Sequence, residues 1–435
     1  MASVTWKVGP GTPGHWAAGI VTERKDMLYR TMPKNGDKLS ILGYGCMRLP
    51  EKGGRIDEAA AKAQLRRAID GGVNYLDTAA FYHMGGSEPF LGTALGEGYR
   101  AKVKLATKLP YWVVKTRADM DSLLNVQLSK LRTDHIDYYL VHNLSGEGLK
   151  RMLGLGMADF VARARADGRI VNIGFSAHVP TSEFKTIVDG FDWGFCQIQY
   201  NFLDTMSQAG TEGLKYAASK GLGVIVMEPL RGGMLARKSP QVQAVWDSAE
   251  DKRSPAEWAL RWLWDQPEVT VVLSGMSDMQ QVDENVRIAG AAPAGSLTQE
   301  ERSLVTKAVE AYRSLMKVGC TGCGYCMPCP EGIDIPAHFQ AYNYKYMAGG
   351  IGSWRVNYLA LLGGGLEGNA WVPVSSCASC GKCAEACPQR IEVPEKLKEV
   401  EREFGGLDTK LFLVIGRLFL KFTNWKVTRA AARVG

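Results

Sequence analysis

The sequence predicts an α/β protein: a closed parallel (β/α)8 barrel followed by a small cysteine-rich domain. Three observations carry that expectation. Eight short apolar runs alternate with longer amphipathic stretches between residues 39 and 273, the rhythm of strand–helix units that close into a barrel over about 250 residues. Eight of the ten cysteines fall in the last 116 residues. The chain of 435 residues, 46% hydrophobic and 22% charged, has the size and composition of one large globular barrel with an appendage, not of a disordered or fibrous chain. It contains no run of about 18 apolar residues, so no spanning helix is expected. A net charge of +7 is too mild at this size to indicate nucleic acid as a partner.

The strand runs are Leu39–Cys46, Asn74–Thr78, Val103–Thr107, Asp137–His142, Ile170–Phe175, Phe195–Gln199, Gly223–Met227 and Thr270–Leu273. Helical periodicity lies between most of them, as in Asp57–Gly71, where Ala60, Ala63, Leu65, Ala68 and Ile69 recur, and in Ala118–Leu131. Gly71-Gly72 and Gly221 suit helix C-caps. A doubly wound open sheet would call for a glycine-rich phosphate loop after the first strand; Gly43-Tyr44-Gly45 lacks the third glycine and the following helix. Residues 1–26 are turn-rich and carry no secretory leader pattern, so they are expected to be an extension ahead of a domain that opens at Met27. With cysteines spaced for metal and not for disulfides, a cytoplasmic location is expected. The expected organisation is extension 1–26, barrel 27–315, cysteine domain 316–400 and an amphipathic basic tail 401–435.

Chemistry in such a barrel sits at the C-terminal ends of the strands, where Asp77, Lys108, His142, Ser176, Gln197 with Asn201, and Glu228 fall. Asp77-Thr78-Ala79-Ala80-Phe81-Tyr82, Lys108 closing VKLATK, and His142 in YYLVHN resemble the catalytic tetrad of the aldo-keto reductases, in order and spacing, along about residues 38–290. The resemblance implies a TIM barrel that reduces a small carbonyl, or oxidises an alcohol, with NAD(P)H. It implies Tyr82 as general acid/base, Lys108 as the cation lowering its pKa, Asp77 paired to Lys108, and His142 beside the substrate oxygen. The residue chemistry agrees. A free tyrosine titrates near 10, a nearby ammonium favours the phenolate, and a buried ammonium needs a carboxylate. Carbonyl reduction needs a proton as well as a hydride. His83 and Trp112 are neighbours of the tetrad and candidates for the substrate pocket.

By the same resemblance Ser176 and Gln197 hold the nicotinamide amide, with Ala177 standing where the family has asparagine. Pro229, Leu230, Arg231 and Gly232 resemble the loop along the pyrophosphate, and Gly275, Ser277, Gln281 and Asn285 the adenosine end. Positions 281 and 285 share a helix face. Ser277 and Asp278 stand where NADPH-preferring relatives carry a cation, which weakens that preference and leaves Arg287 as a source of charge. NADH and NADPH both stay open.

The late cysteines form two runs, Cys320-x-x-Cys323-x-x-Cys326-x-x-Cys329-Pro330 and Cys377-x-x-Cys380-x-x-Cys383-x-x-x-Cys387-Pro388. The second has the bacterial ferredoxin spacing in full, and the first is one residue short in its last gap. Zinc is the rival occupant, but two groups of four, each closing on Cys-Pro, favour iron–sulfur. The region resembles a ferredoxin-like iron–sulfur domain with two [4Fe-4S] clusters. That resemblance implies that Cys320, Cys323, Cys326 and Cys387 hold one cluster and Cys377, Cys380, Cys383 and Cys329 the other; each run holding its own cluster is the alternative. Cys46 and Cys196 are expected in barrel strands as small apolar residues. One-electron exchange with a ferredoxin-like redox partner follows as an expectation. Because nicotinamide passes two electrons at once, coupling would need a flavin or a radical-tolerant substrate, and a flavin is not excluded. The rival function is a non-catalytic electron-transfer or assembly subunit that keeps the barrel as scaffold. In the tail, residues 411–422 (LFLVIGRLFLKF) are too short to span a bilayer. They could cover the barrel, make a homo-oligomer or lie on a membrane surface, with 423–435 basic and frayed. Residues 407–435 hold six basic and one acidic residue, most of the chain's net charge.

Overall fold

A computed structural model describes residues 26–320, 322, 324–347, 358–359, 372–387 and 389–431. Eight parallel strands close a barrel: β1 (Leu42–Gly45), β2 (Tyr75–Asp77), β3 (Lys104–Leu109), β4 (Ile136–Val141), β5 (Ile170–Ala177), β6 (Phe195–Gln199), β7 (Gly223–Met227) and β8 (Val269–Ser274). Each strand pairs with the next in the chain, and β8 closes on β1 through Val272 opposite Leu42. Tyr75, Tyr138, Phe195, Ile225 and Val271 fill the interior, so the barrel is packed and not a pore. Met32 and Leu39, from a hairpin of Tyr29–Thr31 and Lys38–Ser40, join that cluster and close its N-terminal end.

The strands lie where the apolar runs place them, with one difference. Leu39–Cys46 is not one strand: Lys38–Ser40 belongs to the hairpin and β1 begins at Leu42. The Ser40 hydroxyl donates to the Leu42 carbonyl at 2.7 Å and its backbone N–H donates to Asn74 Oδ1 at 2.7 Å. These local bonds take the groups a continuous ladder would use. Cys46 therefore follows β1 and does not lie in it, while Cys196 lies in β6; both are buried. The outer helices start and stop on their signals. Glu58–Asp70 is capped by the Asp57 carboxylate, which accepts from Ala60 N–H at 3.2 Å, and ends at Gly71. Gly72 has φ +98°, and a Cβ there would stand 2.6 Å from Met27. Arg117–Leu131 opens on a capping box of Thr116 and Asp119.

The cysteine region is built on the helices Ile335–Met347, Lys382–Glu385 and Val393–Phe404. Its apolar residues Ile335, Phe339, Leu397 and Phe404 share one core with Phe202, Trp246, Trp258 and Tyr312 from the barrel side, so it is packed against the barrel. The tail forms one helix, Leu407–Ala431. Residues 423–431 are thus helical, contrary to the fraying expected, because Thr423 and Val427 are buried and Val427 enters the barrel core. Among the described residues no helix is long and apolar enough to cross a membrane. The extension up to residue 25 and positions 432–435 lie outside the described residues.

Candidate active site and cysteine centres

The C-terminal ends of β2, β3 and β4 bring the tetrad together. Asp77 ends β2, Lys108 is the penultimate residue of β3, and His142 follows β4. Tyr82 opens the short turn Tyr82–Gly85, where His83 (φ 50°) and Met84 (φ 59°) take left-handed backbone. The Lys108 ammonium donates to Asp77 Oδ1 at 2.6 Å, to the Thr78 carbonyl at 2.8 Å and to the Tyr82 hydroxyl at 3.2 Å. Lys108 is 1% exposed and Asp77 2%.

Burial opposes the Lys108 charge, but Asp77 and Tyr82 outweigh it and leave its pKa above the usual lysine value. Tyr82 differs from the expectation. Lys108 does pull its pKa down, yet burial pulls harder the other way, so the phenol sits above its ordinary value of 10.0. Desolvation, with Lys108 and His178 adding to it, holds His142 well below the ordinary histidine value, hence as neutral imidazole. Its Nδ1 has no protein partner. The Trp112 ring lies 5.3 Å from the His142 ring and 5.6 Å from Phe81. His83, in contrast, is engaged away from the tetrad: its Nε2 accepts from Leu49 N–H and its Nδ1 meets Glu51 at 2.7 Å.

Behind Lys108 lies a buried polar network that the strand-end reading does not contain. Glu88 accepts from Thr107 Oγ1 at 2.8 Å and from Gln127 Nε2 at 2.7 Å, and Gln127 also donates to the Lys108 carbonyl at 3.0 Å. Tyr139 closes the set by donating to Gln127 Oε1 at 2.8 Å. This braces the backbone that carries Lys108. The available signal was a glutamate and a glutamine at buried helical positions.

Ser176 and Gln197 stand opposite each other in the β5–β6 register. The Ser176 hydroxyl accepts from Asn143 N–H at 2.8 Å, and Gln197 Oε1 is buried without a partner. An acceptor left open beside a hydroxyl suits a carboxamide. Glycines 232 and 233 take φ +67° and +90°, and the space beyond Gly232 is bounded by Arg48 Nη2 at 3.4 Å. The Arg48 side chain also passes 3.1 Å from where a Gly275 Cβ would stand. Arg48, unassigned from sequence, therefore lies between the Pro229–Gly232 and Gly275 loops, a cation suited to a diphosphate. Pro229 is buried and Leu230 half-buried. Arg231 differs from expectation: its guanidinium is ion-paired with Asp204 at 3.2 Å and approaches Met347 of the cysteine region. At the far end Gln281 is held locally, accepting from Ser277 N–H at 2.9 Å and donating to Asp278 at 2.6 Å. Asn285 donates to Ser274 at 3.0 Å. Arg287 pairs with Glu257 at 2.8 Å, so it is committed elsewhere.

The cysteines ring two hollows. Cys320, Cys326 and Cys387 line one, with Ile335, Phe339 and Ile391. Cys329, Cys377, Cys380 and Cys383 line the other, which Cys326 also borders. Cys323 and Pro388 lie outside the described residues. The backbone N–H groups of Gly322 and Ser379 donate to Cys320 and Cys377 sulfur at 3.4 Å. Among the described residues no group of three or more His, Cys, Asp or Glu side chains is placed to hold a single metal ion.

Comparison with known proteins agrees with this geometry. Residues 41–310 match the Aldo/keto reductase family, and residues 319–392 match a 4Fe-4S dicluster domain. The chain is 25% identical to L-galactose dehydrogenase of Arabidopsis thaliana over 310 residues, covering 66% of this chain and 95% of that protein. It is 27% identical to an uncharacterized oxidoreductase, YqkF, of Bacillus subtilis over 295 residues, covering 60% and 90%. Among solved structures, aldo-keto reductase AKR11C1 from Bacillus halodurans in its holo form superposes with a TM-score of 0.56 at 27% identity, covering 66% of this chain and 97% of that one. The family match takes in more than half of the chain, and the protein belongs to the aldo/keto reductase family, with a 4Fe-4S domain following its barrel.

Proposed function

We propose that the chain reduces a small carbonyl, or oxidises the corresponding alcohol, with NAD(P)H and with Tyr82 as general acid/base. The observation that carries this is the buried Lys108 ammonium bonded to both Asp77 and Tyr82. A scaffold has no use for a desolvated charge pair aimed at a phenol, since an apolar pair would serve folding as well. That argues against the non-catalytic subunit.

In the reducing direction the Tyr82 hydroxyl gives its proton to the substrate oxygen, and the phenolate left behind is stabilised by the Lys108 ammonium. Asp77 keeps that ammonium charged and in place. Neutral His142 hydrogen-bonds the substrate oxygen, and Trp112 walls the pocket beside it. Ser176 and Gln197 would hold the nicotinamide amide, Pro229, Leu230, Gly232 and the backbone of Arg231 with Arg48 the diphosphate, and Gly275, Ser277, Gln281 and Asn285 the adenosine end. When bound, the nicotinamide supplies the hydride. The carboxylate of Asp278 and the commitment of Arg287 to Glu257 favour NADH over NADPH.

The eight late cysteines would hold two [4Fe-4S] clusters, one between Cys320, Cys323, Cys326 and Cys387 and one between Cys329, Cys377, Cys380 and Cys383. Clusters supply one-electron capacity, which fits a ferredoxin-like redox partner and leaves room for a flavin. The division of labour is a catalytic barrel over 27–315, a cluster domain over 316–400 and a tail over 401–435, in a cytoplasmic protein. In the anaerobically purified holoprotein, Tyr82→Phe should lower kcat for carbonyl reduction by at least about 100-fold while leaving the Kd for NADH unchanged. Undiminished turnover of every carbonyl tested would overturn the assignment.

A further inference from the structure

We propose that the C-terminal helix docks this protein on the surface of an anionic lipid bilayer. Eight of the seventeen large apolar side chains that are exposed among the described residues sit on this one helix. Leu411, Val414, Ile415, Leu418, Phe422 and Trp425 are 49% to 62% exposed. They recur at steps of three and four, so they form one continuous stripe. Exposed apolar residues scattered singly need no explanation, but a contiguous stripe marks an interaction surface.

The opposite face is already used. Thr409, Leu413, Thr423 and Val427 are buried, and Asn424 Oδ1 accepts from Trp112 Nε1 at 3.1 Å. The helix is thus fixed to the molecule by one side and presents the other outward.

Charge decides the occupant. On a helix turning by about 100° per residue, Lys410 and Lys421 border one edge of the stripe and Lys426 the other, all exposed. Asp408 is the one acidic residue from 407 to 435. A second copy of this helix would bring these cations together with a single carboxylate from each chain, Asp408, to offset them. Anionic headgroups on both sides of a shallowly inserted apolar stripe would meet all of these cations. The aromatic residues suit the same boundary. Phe422 and Trp425 stack at 5.8 Å, with the Lys426 ammonium 4.8 Å from the Phe422 ring and the Arg429 guanidinium 5.0 Å from the Trp425 ring. An apolar ring with a cation over its face suits a headgroup interface. Because the buried side of the helix touches Trp112, docking brings the catalytic mouth close to the bilayer. The surface stands whether or not the reductase reading does.

The test is flotation of the anaerobically purified full chain with vesicles of phosphatidylcholine alone or of phosphatidylcholine and phosphatidylglycerol at about 3:1. The protein should float with the anionic vesicles, far less with the neutral ones, and lose binding as salt is raised. Leu411→Ser with Leu418→Ser and Phe422→Ser should weaken binding by at least about tenfold. Lys410→Gln with Lys421→Gln and Lys426→Gln should do so by a similar factor on anionic vesicles only. Absence of flotation with anionic vesicles, or flotation of either triple variant undiminished from that of the parent chain, would overturn the proposal. So would a dimer in light scattering that the serine variant disperses, since the face would then belong to a second copy.

Discussion

Tyr82 must be protonated to act as an acid in reduction, and its surroundings settle when that holds. Burial raises its pKa, and Lys108 offsets this only in part. The hydroxyl is therefore intact through the neutral range and is lost only as pH rises through a value above 10.0. His142 is held neutral far below the ordinary histidine range, so no break is expected where a free imidazole titrates. The kcat/KM for carbonyl reduction should be flat between about pH 6 and 9 and fall only above about 10. A descending limb centred near about 6.5 would show that His142 titrates in the working range and is not the neutral partner assigned to it. Asp77, Lys108 and His142 were legible because each lies at or just beyond a strand end, where a charged or polar side chain has no packing reason to be, whereas Tyr82, five residues past its strand, was legible only through the resemblance of the Asp77–Tyr82 run to the family motif. Glu88 and Gln127 were not. They sit on helices at positions that the apolar periodicity assigns to the core, and only the folded structure shows that they brace Lys108. Arg48 escaped for a different cause: nothing in the sequence places residues 48, 232 and 275 together.

Among the elements, the helix Met279–Ala289 is the one through whose first turn the proposed cofactor preference would act. Asp278 caps it by accepting from Gln281 N–H at 2.9 Å, and Gln281 returns a bond to the same carboxylate. Its negative charge sits beside the helix N-terminus that would otherwise attract a phosphate. The chain should bind NADH more tightly than NADPH. Asp278→Ser keeps an N-cap oxygen and removes the charge, so it should tighten NADPH by about tenfold, roughly 1.4 kcal/mol, with little change in NADH. Fluorescence titration of both nucleotides checks this, and equal tightening of the two would place the carboxylate away from the 2′ position. This element was legible as a motif. The strands between Val103 and Met227 were also legible, because a buried parallel strand is a short apolar run. The division of the first run was not, since Ser40 breaks the strand through side-chain bonds that leave hydrophobicity unchanged.

At the scale of the whole molecule, barrel and cysteine region share a core, and the Arg231–Asp204 pair with Met347 lies across their boundary. Two observations favour crossed ligands in the proposed cluster region. Cys387, from the end of the second run, faces the same hollow as Cys320 and Cys326, and Cys329, from the end of the first, faces the hollow of Cys377, Cys380 and Cys383. The shortened gap before Cys329 and the 47 residues between the runs left the ligand division open in the sequence, because spacing restricts near neighbours and says little about partners far along the chain. Exchange of the fourth ligands would make each run depend on the other, so two clusters would tie residues 320–329 to residues 377–387 as cross-links do. Paired substitutions separate this from independent runs. With crossed ligands, Cys320→Ser with Cys387→Ser strikes one cluster and leaves about four irons per chain, while Cys380→Ser with Cys387→Ser strikes both and leaves almost none. With independent runs the outcomes exchange: the first pair strips both clusters and the second leaves about four irons. Iron and sulfide counts on anaerobic protein, with electron paramagnetic resonance of the reduced state, read the difference directly. A four-iron residue in the 380/387 variant would reject the crossed arrangement.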